Sequence, residues 1–151
     1  LFRSLAAGPA AGVLTRLDLP LAHGDAAQSA LEVTVLDHDP VDRITRLAFD
    51  GGELLLAGAG AEPGARAVVR VLARDVSLTL ARHPDTSILN ILPATVLEIA
   101  EDAPGQSMVR LAAGGGGAVL LARVSRRSVR ALNLRPGLAV QAQIKAAALS
   151  A

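Results

Sequence analysis

One strand-and-turn pattern occurs twice along this chain of 151 residues. The segment RLAFDGGELLLA, residues 46–57, returns as RLAAGGGGAVLLA in residues 110–122. The tripeptide TVL at residues 34–36 likewise returns at residues 95–97. Because self-similarity at a fixed spacing is the signature of repeated structural units, the sequence predicts two similar modules.

Each copy of the pattern has the features of short antiparallel strands. β-branched residues and partial two-residue alternation flank the turn residues DGG at 50–52, and glycines 114–117 take their place in the second copy. Five short strands per copy favour an all-β fold of two tandem small Greek-key barrels of the OB type. The predicted modules are residues 29–82 and 83–151.

Two segments are predicted to be helical. Residues 125–137 form an insertion in the second module, in which Ser125 is expected to cap a short helix. Residues 9–22 have apolar side chains at roughly helical spacing, and the Gly-Pro pair at 8–9 interrupts the apolar run before it reaches signal or membrane length. We therefore interpret residues 1–28 as the end of a preceding domain plus a linker, and expect the chain to be a fragment of a longer protein.

The composition argues against several classes of function. Phe2 and Phe49 are the only aromatic residues, so a base-stacking surface for nucleic acid is not expected. There is no cysteine, and the three histidines show no metal-ligand spacing. A net charge of +1 gives no field for steering a polyanion, whereas the many arginines leave room for a small-anion site.

The motifs of two enzyme classes are also missing. The phosphate-binding loop G-x-x-x-x-G-K-[ST] is absent, so this stretch of chain is not expected to hydrolyse ATP, and no G-x-S-x-G occurs. The carboxylates in turn-like acidic stretches are predicted to be solvated loop residues: Asp37, Asp39, Glu98, Glu101 and Asp102.

Lys145 is the only lysine of a chain that otherwise uses arginine for its strong bases. It is explained equally well as a solvated charge at a strand edge or as a compact cation that approaches one oxygen of a small anion. When Leu78 is aligned with Leu149, Arg74 falls on Lys145, so each module has one basic residue near its end.

Three segments carry a family resemblance: TSILNILPATVLEI (86–99), LLARVSRRSVRALNLRPG (120–137) and VQAQIKAAAL (140–149). They resemble the molybdate-binding TOBE/Mop region at the C-terminal end of the ATP-binding subunit of molybdate ABC importers. The resemblance implies small β-barrels that bind molybdate or tungstate without a cofactor, often at interfaces. It further implies a homodimer or higher homo-oligomer that works with the importer's ATPase and membrane subunits at the cytoplasmic face of the bacterial membrane, without inserting into it.

A fully deprotonated oxodianion must be held by donors such as hydroxyls, backbone N–H groups and cations. On this basis and by the resemblance, the predicted oxyanion-binding residues are Thr86, Ser87, Asn90, Ser125, Arg126, Lys145 and Ala146, with Arg74 as a weaker candidate in the first module.

Simpler explanations exist for several of these residues. Ser87 and Asn90 are also typical of a capped turn, Ser125 of a helix N-cap, and Arg126 of a solvated helix face. The chain also departs from the family by having Leu89 where a basic residue is usual. The alternative function is therefore a β-barrel module without a ligand, which dimerises and stabilises the parent ATPase.

Overall fold

The computed structural model describes residues 16–18, 22–58 and 60–150. The strands are β1 (Gln28–Asp39), β2 (Ile44–Phe49), β3 (Gly52–Ala57), β4 (Arg66–Leu72), β5 (Val76–Thr79), β6 (Asn90–Glu101), β7 (Gln106–Ala113), β8 (Val119–Ser125), β9 (Ala139–Ile144) and β10 (Ala148–Ser150). A 3-10 helix (Ala73–Asp75) precedes β5, and an α-helix, α1 (Arg126–Ala131), follows β8. The predicted all-β fold with a short helix in the second module is confirmed. The predicted N-terminal helix lies almost wholly outside the described residues.

The strands form two five-stranded antiparallel sheets with the same internal order. The first sheet runs β10-β4-β1-β2-β3 and the second runs β5-β9-β6-β7-β8. In both sheets the long first strand of the repeat lies at the centre, with the next two strands on one side and the fourth on the other. The repeated pattern in the sequence therefore corresponds to a repeated sheet topology.

The fifth strands of the two copies are exchanged. β5 pairs with β9 of the second sheet, where Leu78 lies opposite Ala142. β10 pairs with β4 of the first sheet, where Leu149 lies opposite Val69. Each sheet therefore contains one strand from the other predicted module, residues 29–82 or 83–151. The division of the chain into these two modules stays a prediction based on sequence.

Each central strand has a bulge at the same place in the repeat. The pairing shifts between Val35 and Asp37 in β1 and between Val96 and Glu98 in β6. At each bulge the backbone bonds to the loop before the fourth strand: Gly64 N–H donates to the Val35 carbonyl at 2.7 Å, and its counterpart donates likewise to Val96. Bulges bend a strand, so both sheets curl at equivalent positions.

The two sheets share one hydrophobic core. Leu31, Val33 and Val35 alternate along β1 as inward-facing residues, each less than a twentieth exposed. They pack in a single cluster with Val69 of the same sheet and with Leu111 of the other, both fully buried. Because both sheets supply the core, neither module buries its apolar face alone. No helix among the described residues is long and apolar enough to span a bilayer.

Candidate functional site

Asn90 lies at the start of β6, on the seam between the two sheets. Its side chain is buried, accepts a hydrogen bond from Leu55 N–H at 2.7 Å and donates one to the Leu55 carbonyl at 2.8 Å. Ser29 holds the matching place in β1, where its hydroxyl accepts from Leu121 N–H at 2.8 Å. In each copy, one polar side chain thus hydrogen-bonds to the backbone of the other copy's edge strand. The Asn90 amide uses its oxygen and its NH₂ group for this contact.

Asn90→Ala is expected to destabilise the fold by about 1–2 kcal/mol, because it removes two hydrogen bonds and leaves two partly buried backbone groups of Leu55 without partners. Chemical denaturation gives the free energy of unfolding. Thr86→Ala is a suitable control, because its hydroxyl is exposed and accepts a single local bond. Equal stability of the two variants would contradict the role of Asn90 in the seam.

Lys145 and Ala146 follow β9 and are exposed. The Lys145 N–H donates to the Asp75 carbonyl at 2.9 Å, which fixes the backbone where the exchanged strands meet. Within the described part of the chain, the ammonium group has no hydrogen bond or ion pair. Lys145 therefore offers a free cation at a fixed backbone position.

The loop before β6 lies at the same end of the second sheet. Asn90 pairs with Ile144, the residue before Lys145, so the loop that contains Thr86 and Ser87 leads into the strand beside it. The Thr86 hydroxyl accepts from Ile88 N–H at 3.1 Å, as in a local turn. The Ser87 hydroxyl is exposed and forms no hydrogen bond with the residues that the structure describes. The structure thus groups the donors Ser87 and Lys145 at one end of the sheet.

Ser125 and Arg126 form a separate group at the end of β8. The Ser125 hydroxyl accepts from Ser128 N–H at 3.0 Å, so the predicted helix cap is confirmed. Arg126 forms an exposed ion pair with Glu101 at 3.3 Å. No hydrogen bond or ion pair between described residues joins this group to Ser87 or Lys145.

Arg74 of the first module already has an ion-pair partner. Its guanidinium lies 3.3 Å from the Asp25 carboxylate, which also bonds Arg123 at 3.0 Å. The cation that matches Lys145 in the repeat therefore has an anionic partner within the chain, whereas the ammonium of Lys145 has none among the described residues.

One expectation from the sequence is wrong. Asp102 is not a solvated loop carboxylate: its side chain is only 1% exposed. Burial opposes its ionisation, but hydrogen bonds from Gly24 N–H, Arg123 and His23 outweigh that effect and hold the pKa of Asp102 below its usual value. The nearest of these partners in sequence is 21 residues away, so no local pattern could have identified the cluster.

The architecture defines a class of protein, the tandem OB-type β modules. Among solved structures, this chain matches the cytoplasmic molybdate-binding protein ModG, in a form with molybdate bound. The TM-score is 0.68 and the sequence identity 25%, over 81% of this chain and 94% of that one.

Residues 86–151 match the TOBE domain. The chain is also 54% identical over 142 residues to the molybdenum import ATP-binding protein ModC of Albidiferax ferrireducens, covering 94% of this chain and 38% of the relative. The ModC 1 protein of Azotobacter vinelandii is 47% identical, over 97% of this chain and 40% of its own length. The chain thus spans about two fifths of these curated relatives and corresponds to their C-terminal part.

Proposed function

We propose that this chain is a regulatory, oxyanion-binding accessory region of the ATP-binding subunit of a molybdate importer, and that its ligand is molybdate or tungstate. The free ammonium of Lys145 and the free hydroxyl of Ser87, at the same end of the second sheet, carry the proposal. A relative with the same fold is described as molybdate-binding, and relatives over nearly the whole chain are named as molybdenum import proteins.

The chemistry of this end of the sheet suits a tetrahedral dianion. Molybdate near neutral pH has no proton to donate, so every contact must come from a donor. Lys145 supplies a point charge, Ser87 a hydroxyl, and the exposed loop at Ala146 a backbone N–H group. Hydrogen bonds to a charged ligand are each worth about 1.5–3 kcal/mol, so a few such donors are enough for binding.

A complete site would include a second copy of the chain. Ser125 and Arg126 form no hydrogen bond or ion pair with Lys145 within one chain, yet both groups are expected ligands. An interface that places Ser125 and Arg126 of one copy next to Lys145 of another copy would bring the two groups of ligands together. We therefore propose a homodimer or higher homo-oligomer.

The remaining parts of the proposal concern the parent protein. We infer that the chain works without ATP hydrolysis or a cofactor of its own, beside an ATPase domain and membrane subunits at the cytoplasmic face of the membrane. It is not proposed to bind nucleic acid or to insert into the bilayer.

A second candidate function is a dimerising and stabilising module without a ligand. Four large apolar side chains on the described surface favour it: Val41 is 86% exposed, Leu80 and Leu89 are each 52% exposed, and Leu97 is 38% exposed. Leu89 also stands in the candidate loop, where a cation would strengthen anion binding.

Isothermal titration with molybdate, tungstate and sulfate distinguishes the two functions. We expect saturable binding of molybdate and tungstate and weaker binding of sulfate, with self-association by sedimentation. An oligomer that binds none of the three anions would reject the oxyanion site and favour the stabilising module. A strict monomer that binds molybdate would reject the interfacial site.

A further inference from the structure

The connector before the first module packs on the outer face of the second sheet. We define the connector as Leu17 together with residues 22–27. Leu17 and Ala22 are 8% and 0% exposed, and they share a small apolar cluster with the fully buried Met108 and Leu121. The segment that leads into the first module is therefore held by the second one.

Asp102 is the polar anchor of this contact. Its carboxylate accepts from Gly24 N–H at 2.8 Å and from Arg123 Nε at 2.6 Å, and it lies 2.9 Å from His23 Nδ1. Two of these three partners belong to the connector. A buried carboxylate with three partners stays ionised, so it acts as a fixed negative charge under the connector.

His23 is placed between two acceptors. Its Nδ1 faces the Asp102 carboxylate, and its Nε2 lies 2.8 Å from the Leu17 carbonyl oxygen. Neither acceptor can donate a proton, so both contacts are hydrogen bonds only when both ring nitrogens carry hydrogen. A neutral imidazole must turn a lone pair towards either the carboxylate or the carbonyl.

The positive and negative charges of the other groups around Asp102 nearly cancel. Asp25 of the connector bridges Arg123 of β8 and Arg74 of the 3-10 helix, at 3.0 and 3.3 Å. At the adjoining end of the second sheet, Arg126 pairs with Glu101. Arg123 and the His23 imidazolium together face the buried Asp102 carboxylate, so the proton on His23 adds an attractive charge where the connector meets the sheet.

The geometry points to His23 as a proton-controlled latch that fastens the connector to the second module. The imidazolium closes the latch by donating to Asp102 and to Leu17 at once. When the imidazole loses one of its two N–H protons, one hydrogen bond is lost and the connector loosens; when both ring nitrogens carry hydrogen, the latch is complete. The latch does not depend on oxyanion binding, so its test is separate from that of the proposed function.

Hydrogen exchange of the Gly24 amide tests this latch. The chain has three histidines, so a His38→Gln/His83→Gln double variant leaves His23 as its only imidazole. In that background we expect the Gly24 protection factor to fall about tenfold or more between about pH 5.5 and about pH 8.5. The imidazole ¹⁵N shifts at the lower pH should show two protonated nitrogens.

Two further measurements complete the test. Adding His23→Gln should abolish the pH step, because a neutral amide does not titrate, while the Val109 amide in the core of β7 should stay protected throughout. The latch is rejected if Gly24 protection is the same at both pH values although the ¹⁵N shifts show that the imidazole has lost a proton. It is also rejected if the His23→Gln variant shows the same step.

Discussion

Gly114→Ala is expected to lower the free energy of unfolding by about 3 kcal/mol, because the residue lies where the turns of the two copies meet. Gly114 has φ +66°, a left-handed conformation, and a Cβ there would overlap the backbone carbonyl of Gly51. The contact is reciprocal, since a Cβ on Gly51 would lie 2.5 Å from the Ala113 carbonyl oxygen. Both atoms in the way are backbone, so neither turn can yield by rotating a side chain. Chemical denaturation monitored by circular dichroism measures the loss.

Gly115→Ala is the matched control. A Cβ at Gly115 meets nothing within 4 Å, and its φ is not in the left-handed region, so the same substitution one residue later should change stability by less than about 0.5 kcal/mol. If Gly114→Ala and Gly115→Ala unfold at the same denaturant concentration, the close packing of the two turns does not contribute to stability.

The match between repeat and fold shows what the sequence could predict. The glycine-rich turn at 114–117 and the turn at 50–52 were paired by sequence alone, and they occupy equivalent hairpins that touch. Ser125 was predicted as a cap from its position before a helical segment. These features depend on neighbours a few residues away, which is the range in which turn and cap chemistry acts.

The strand exchange could not be predicted in the same way. β5 (VSLT) and β10 (ALS) follow equivalent strands of the repeat and have the same small, partly apolar character. Either strand satisfies the local pattern of either sheet, so the pattern does not determine which sheet receives it. Only the path of the chain after β4 and β9 decides the pairing, and that path depends on the packing of the whole core.

The candidate site shows the same division between local and distant contacts. Residue chemistry indicated Lys145 and Ser87 as donors, and both are free of partners among the described residues. The hydrogen bonds between the Asn90 side chain and Leu55 could not be predicted, because Leu55 lies 35 residues earlier in the chain. The contact between His23 and Asp102 spans 79 residues, and only the folded connector brings them together.

Lys145→Ala is expected to weaken molybdate binding by about 1.5–3 kcal/mol, the range for a hydrogen bond to a charged group, and to leave the fold nearly intact. The ammonium has no partner among the described residues, so its removal costs no internal ion pair. Lys145→Arg should restore only part of the affinity, because the planar guanidinium is larger and directs its donors differently. Ser87→Ala, which removes a neutral donor, should cost about 0.5–1.5 kcal/mol. Titration calorimetry with molybdate measures all three.

Arg74→Ala is the matched control for the loss of a cation. Arg74 has the same place in the repeat but is paired with Asp25, so its removal should leave molybdate affinity within about twofold of the parent. If the parent binds molybdate and Lys145→Ala binds it equally well, the lysine is a solvated charge at the strand end and the anion is held elsewhere. If Lys145→Ala and Arg74→Ala weaken binding alike, the effect comes from net charge and not from a contact with the ligand. The ammonium is assigned to the site only if Lys145→Ala loses affinity, Arg74→Ala does not, and Lys145→Arg restores part of the loss.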